Sequence, residues 1–168
     1  MDFSIKKITK KDIPKIVEIV SRVLTDDFDI YPLKVREAYK KVFNEKYFKD
    51  LLKNKKNVFF GAYKNNELIG FFSLKSDYGG IIYGDWLAVK KEYRSHGMAS
   101  SLLKKAEEWM IKNKYHAYYL FTETEKNTSF YKKRGFKHIG TFKKSWFGQD
   151  EKIMQKILRA EPFKEIFN

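Results

Sequence analysis

The run Leu87-Ala88-Val89-Lys90-Lys91-Glu92-Tyr93-Arg94-Ser95-His96-Gly97-Met98-Ala99-Ser100 carries the clearest chemical signal in this chain. It reads as an apolar strand, a short basic turn and the approach to a helix expected over Ser101 to Lys112, with no acid in the first turn. The first N–H groups of a helix lack intrahelical acceptors and lie at the positive end of its dipole. A strand-to-helix turn that carries Arg94, with Gly97 offering no side chain, therefore predicts an anion site, most naturally for phosphate. Small Ala99 and Ser100 keep the approach to the main chain open. A basic turn with one glycine is a short motif, and many strand–helix joints bind nothing.

Groups that could move protons lie on either side of this turn. Asp85 is a lone carboxylate in an apolar strand, Tyr83-Gly84-Asp85-Trp86-Leu87. Partial burial would raise its pKa and make it a better base; a hydrogen-bonded structural aspartate is the equal alternative. Glu123 and Glu125 follow the next strand and are rivals for the same role, or solvated loop charges. His96, His116 and His138 are scattered, so no metal site is expected. Asp26-Asp27-Phe28-Asp29-Ile30-Tyr31 places three carboxylates in four residues. They could draw a cationic amine, although a solvated loop is the simpler reading.

The 168 residues suit one domain over 1–168, long enough for a core without disulfides or metal. Cysteine is absent, which excludes a disulfide scaffold, thiolate zinc sites and cysteine nucleophiles and fits a reducing, cytoplasmic setting. No apolar run reaches 18 residues and the N-terminus shows no signal-peptide pattern, so a membrane partner is not expected. Thirty-five basic against 21 acidic residues leave +14, which suggests a polyanionic partner. The lysines are spread along the chain, however, and make no clear basic stripe. Nucleic acid is therefore the minor reading. A homodimer is expected only because dimers are the commonest soluble assembly.

The elements that must position these groups follow from periodicity. Phe3 to Ile8 alternates as a strand. Ile13, Ile16, Val17, Ile19, Val20, Val23 and Leu24 follow helical spacing, with Pro14 in the first turn. Thr25 to Pro32 is a break, and a second helical pattern covers Val35 to Leu52. Val58 to Tyr63 and Leu68 to Leu74 make a hairpin about Lys64-Asn65-Asn66-Glu67. Ile81 to Val89 adds a third strand. After the helix come a strand (Ala117 to Thr122), a short helix (Asn127 to Arg134) and two strands (Phe136 to Lys143, Glu151 to Leu158). The expected fold is α/β (α+β): a mixed, mostly antiparallel twisted sheet of about seven strands, flanked by about four helices. A strand–helix–strand crossover gives its parallel pairing.

The short helix brings a second motif, Asn127-Thr128-Ser129-Phe130-Tyr131-Lys132-Lys133-Arg134-Gly135-Phe136, in which Gly135 suits a left-handed cap. With it, the chain resembles the GNAT superfamily of acyl-CoA-dependent N-acetyltransferases. Arg94-Ser95-His96-Gly97-Met98-Ala99 is similar to that family's pyrophosphate signature. Phe130-Tyr131 with Gly135-Phe136 is similar to its later one, about 35 residues downstream. The resemblance covers Phe3 to Leu158.

It implies that acetyl-CoA is the cosubstrate. The pyrophosphate would rest on the amides of Arg94, Ser95, His96, Gly97, Met98 and Ala99, with Ser100 alongside. The pantetheine arm would run along the strand ending in Leu87, Ala88 and Val89. N–H groups of that strand would stabilise the oxyanion. Tyr131 would protonate the departing thiolate, and Asp85 or Glu123 would serve as base. Relatives often carry a cofactor-contacting asparagine seven residues before the tyrosine. Here position 124 is threonine, and Asn127 takes that role or serves as a helix cap. The implied activity is acetyl transfer to a primary amine: a polyamine, another small amine, or a protein N-terminus or lysine. The acceptor would be chosen by Thr25–Tyr39, by the Lys75–Gly80 turn and by the Ser145–Asp150 loop with its Trp146-Phe147. A nucleic-acid- or ribosome-associated module and a CoA-binding sensor are the alternatives on the same fold.

Overall fold

The computed structural model describes residues 2–159. Its strands are β1 (Ser4–Lys7), β2 (Val58–Lys64), β3 (Glu67–Ser76), β4 (Ile81–Val89), β5 (Ala117–Thr122), β6 (Lys137–Phe142) and β7 (Glu151–Ile157). Its helices are α1 (Ile13–Asp26), α2 (Leu33–Val42), α3 (Glu45–Lys53), α4 (Met98–Lys112) and α5 (Glu125–Lys132). The seven strands are ordered β1-β2-β3-β4-β5-β7-β6. β4 is parallel to β5, with Ile81 opposite Ala117, as the crossover through α4 requires. β1 with β2, β5 with β7 and β6 with β7 are antiparallel. This is the expected mixed α/β sheet.

The described helices number five rather than about four. The single helix expected over Val35 to Leu52 is divided at Phe43, whose ψ of 53° leaves the helical region. Asn44 makes both ends. Its Nδ2 donates to the Lys41 carbonyl at 2.8 Å, and its Oδ1 accepts from the Tyr47 N–H at 3.1 Å. An asparagine side chain offers the main chain partners of both kinds, which is why it favours caps over helix interiors.

Two compact units are distinguished, each with its own packing. The first runs to Ser73 and includes Trp86–Ala106. Its core joins Ile13, Ile16, Ile19, Val20 and Leu24 of α1 to Phe48, Phe59, Leu68 and Phe71. The acidic segment after α1 is not simply a solvated loop. Tyr31 is 2 % exposed, and Phe28 lies 6.0 Å from Trp86 between ring centroids. Trp86 in turn meets Phe43 edge-on at 4.9 Å. These rings bury large apolar area and hold the segment down.

The second unit comprises Leu74–Asp85 and the chain from Glu107. Tyr118, Leu120 and Met154 are buried in it, and Phe136 packs on Tyr118 at 4.8 Å and on Tyr131 at 5.2 Å. The Tyr118 hydroxyl donates to Glu107 at 2.5 Å, and Lys156 holds the same Glu107 oxygen at 2.7 Å. A buried phenol and a charged pair are thus satisfied together.

Candidate active site

In the first unit, β4 delivers the chain to the basic turn. Trp86 N–H donates to Ser73 Oγ at 3.0 Å, and Lys90 N–H donates to the Ile69 carbonyl at 2.9 Å. Ala88 and Val89 are buried between these bonds. Past Lys90 the backbone turns sharply: Ser95 and Gly97 lie at φ of 65° and 79°. A β-carbon at Gly97 would meet no atom within 4 Å. Glycine is therefore suited here by its conformation and by what it leaves open above the turn. Ser101 is the first residue to donate within α4, to the Gly97 carbonyl at 3.0 Å. The helix therefore starts at Met98, earlier than the expected Ser101, which places Met98, Ala99 and Ser100 in its first turn. No acid stands in that turn. His96 Nδ1 lies 2.6 Å from the Arg94 carbonyl, which can only accept, so the imidazole shapes the turn.

The Arg94 side chain is spent elsewhere. Its Nε donates to the Val89 carbonyl at 2.9 Å, and its two terminal nitrogens fork onto Asp27 at 2.7 and 2.5 Å. Asp27 raises the guanidinium above its usual pKa, so the charge stays fixed. Lys90 is likewise occupied: it is buried and holds Glu67 at 2.5 Å. Arg94 and Lys90 thus brace the backbone, while Lys91 is exposed, and the Arg94 N–H, which donates to the Lys91 carbonyl at 3.3 Å, is not among the amides that the turn presents. Asp27 was readable in the sequence only as one of several acids near α1.

In the second unit, Tyr131 sits at the end of α5, buried against Phe130 and Phe136. Burial first, and then the charge of Glu123, push its phenol well above the ordinary range. Thr124 caps α5, accepting from the Asn127 N–H at 3.1 Å. Asn127 is not the cap: it is an exposed residue of the helix's first turn. At the other end Gly135 has φ 85°, and the Phe136 N–H reaches the Tyr131 carbonyl at 3.2 Å. That six-to-one bond is a Schellman closure, which fixes the strand that follows Tyr131.

The two expected bases differ in their surroundings. Asp85 holds the Lys75 ammonium at 2.9 Å, its side chain is 6 % exposed, and Lys75 lies over the Tyr83 ring at 4.8 Å. Glu123 stands just after β5, and its charge bears on Tyr83, Tyr131 and Glu151. Glu125 is exposed and paired with Lys152. Glu151, to which the sequence assigned no chemical role, is a buried carboxylate. On the β6–β7 loop, the Trp146 and Phe147 rings lie 6.0 Å apart, tilted by 35°, and are exposed. Among the described residues, no group of three histidines, cysteines or carboxylates could hold a metal ion. No described helix is long and apolar enough to cross a membrane.

Residues 21–136 match the model of the acetyltransferase (GNAT) family, and the chain belongs to that family. It is similar to the PaiA N-acetyltransferase of Thermoplasma acidophilum, solved in complex with coenzyme A. The two are 25 % identical over 94 % of this chain and 99 % of that one, with a TM-score of 0.84. Ard1 of Thermoplasma volcanium shares the fold at 18 % identity and TM-score 0.77, covering 95 % of this chain and 100 % of that one. So does the ribosomal-protein-S18-alanine N-acetyltransferase of Escherichia coli, at 16 % identity and TM-score 0.76 over 95 % and 96 %. No curated protein matches the chain at a significant level. Acetyl-CoA is the cosubstrate that fits this family, and the protein is an N-acetyltransferase of the GNAT type.

Proposed function

We propose that this enzyme moves the acetyl group of acetyl-CoA onto a primary amine by direct attack in a ternary complex. The observation that carries this reading is the turn at 94–99, which matches the family's pyrophosphate signature and whose arginine is already paired with Asp27. The diphosphate rests on the amides past Arg94, whose own N–H already donates to the Lys91 carbonyl, and on the first turn of α4, where fixed dipoles replace its water. Pantetheine pairs with the strand ending in Leu87, Ala88 and Val89. Main-chain N–H groups there stabilise the oxyanion as the nitrogen adds to the carbonyl. The C–S bond then breaks, and Tyr131 gives its proton to the leaving sulfur.

An alkylammonium titrates near 10.4, so only about one molecule in 2,500 is neutral at pH 7. The acceptor therefore needs a proton acceptor, for which Asp85 and Glu123 are the sequence candidates. Asp85 is the poorer of the two, because an ammonium already occupies it. Asn127, exposed on α5, contacts the cofactor only peripherally in this reading. A cysteine-free chain using acetyl-CoA suits the cytosol.

The test is thiol release from acetyl-CoA across polyamines, aminoglycosides, amino acids and peptides, with coenzyme A titrated calorimetrically. Saturable coenzyme A binding together with amine-dependent thiol release is expected. Binding without release for every amine would leave a coenzyme A sensor, and absence of binding would remove the turn's assignment.

A further inference from the structure

Glu151 opens β7 and is 4 % exposed. Carboxylates are seldom buried so completely without a cation. No described lysine or arginine pairs with this one; its partner is Ser145, whose Oγ donates at 2.5 Å. The sheet register gives its direction. Glu151 stands opposite Phe142 on β6, and Ile153 stands opposite Phe121 on β5. Side chains alternate along a strand, so Glu151 shares the face of Ile153, Phe121 and Tyr119, while Met154 and Leu120 face the other way. Tyr83 lies on the same face, its ring 5.2 Å from Tyr119 and 5.8 Å from Phe121.

Other carboxylates of this unit are already committed. Asp85 holds Lys75, Asp77 accepts the Tyr119 hydroxyl, Glu107 holds Lys156, and Asp150 holds Lys143. Glu123 faces Glu151 from the end of β5, and its charge bears on it. From β4, Tyr83 and Asp85 share that face, and Tyr83 feels both Asp85 and Glu151. From the β6–β7 loop come Ser145 and the ion pair of Lys143 with Asp150.

We propose that Glu151 is the proton acceptor of the transfer, taking a proton from the acceptor's ammonium directly or through one water. This role rests on the acetyl-transfer reading. The ammonium gives one proton to the Glu151 carboxylate, and its freed lone pair forms the C–N bond at the thioester carbon. The C–S bond breaks with its electrons on sulfur, which takes the Tyr131 proton. The nitrogen's second proton restores Tyr131, and Glu151 returns its own to solvent. The sum is ammonium plus acetyl-CoA giving the acetamide, coenzyme A thiol and one proton. Burial first, and the Glu123 charge, lift Glu151 above the usual carboxylate range, while Ser145 opposes them. That narrows the mismatch with an ammonium, as an efficient base requires.

The test compares wild type, Glu151→Gln, Glu151→Asp and Ser145→Ala by thiol release, using an amine the wild type acetylates, from about pH 6 to about pH 10. Glu151→Gln should lower kcat by about 100-fold at neutral pH, with KM for acetyl-CoA within about two-fold. Its deficit should shrink as pH rises and solvent supplies neutral amine. Glu151→Asp should recover part of the loss. Ser145→Ala should move the acid limb to higher pH, because a bond that favoured the carboxylate is gone. Wild-type kcat and pH profile in Glu151→Gln would overturn the proposal, as would a rise confined to the amine's KM, which would mean binding instead. If Glu151→Gln does not fold, an unmoved acid limb in Ser145→Ala overturns it. A wild-type protein that binds coenzyme A yet releases no thiol with any amine sinks the transfer reading itself, and this role with it.

Discussion

The turn at Gly97 and the surroundings of Tyr131 and Glu151 handle charge in opposite ways. Two of the turn's cations are neutralised internally: Arg94 forks onto Asp27 and Lys90 holds Glu67. What remains for a ligand is main chain and the exposed Lys91. Around Tyr131 and Glu151 the groups proposed to move protons are buried side chains, and burial pushes the pKa of each upward. A binding surface made of amides depends on backbone shape, whereas proton transfer depends on what packs around two atoms. Substitutions should separate the two regions accordingly.

The largest expected effect is at the turn. Gly97→Glu combines a side chain at positive φ with a like charge facing the diphosphate. Coenzyme A affinity should fall at least about 100-fold by calorimetry, about 3 kcal/mol or more; retained tight binding would break the contrast. Next is Tyr131→Phe, which keeps the ring and removes the proton. Turnover should drop by about 10- to 100-fold while acetyl-CoA affinity stays within about two-fold. Unchanged turnover would strip Tyr131 of its role.

The brace is subtler. Asp27→Ala and Arg94→Ala should each raise KM for acetyl-CoA several-fold without touching the pH profile. The double variant should cost no more than one of them, because residues acting as a unit are not additive. Strict additivity would mean that Arg94 reaches the cofactor on its own account. The smallest effect tests the fold alone: Asn44→Ala removes a cap and should cost about 1 kcal/mol in denaturant unfolding, leaving kcat unchanged.

Periodicity made most of the fold legible. β4 and β5 carry the expected limits, and the Gly97 turn and Gly135 cap stand where their glycines demand. The division of α2 from α3 was hidden because Tyr39, Phe43 and Tyr47 keep helical spacing across it; only Asn44 marks the break. The early start of α4 and the capping of α5 by Thr124 were within the usual blur of helix ends. Asp27 was illegible as a brace, since it lies 67 residues from Arg94. Glu151 was illegible as a buried acid, since its environment comes from β4, β5 and the β6–β7 loop together. Spacing along a chain reports local periodicity, and both of these are products of tertiary packing.

The fork between Asp27 and Arg94 also has an evolutionary reading. Loss of either residue strands a half-covered charge of the opposite sign, which proteins tolerate poorly. The two codons should therefore be inherited as one letter: descendants of this chain that swap the arginine for a neutral side chain should have given up the aspartate as well.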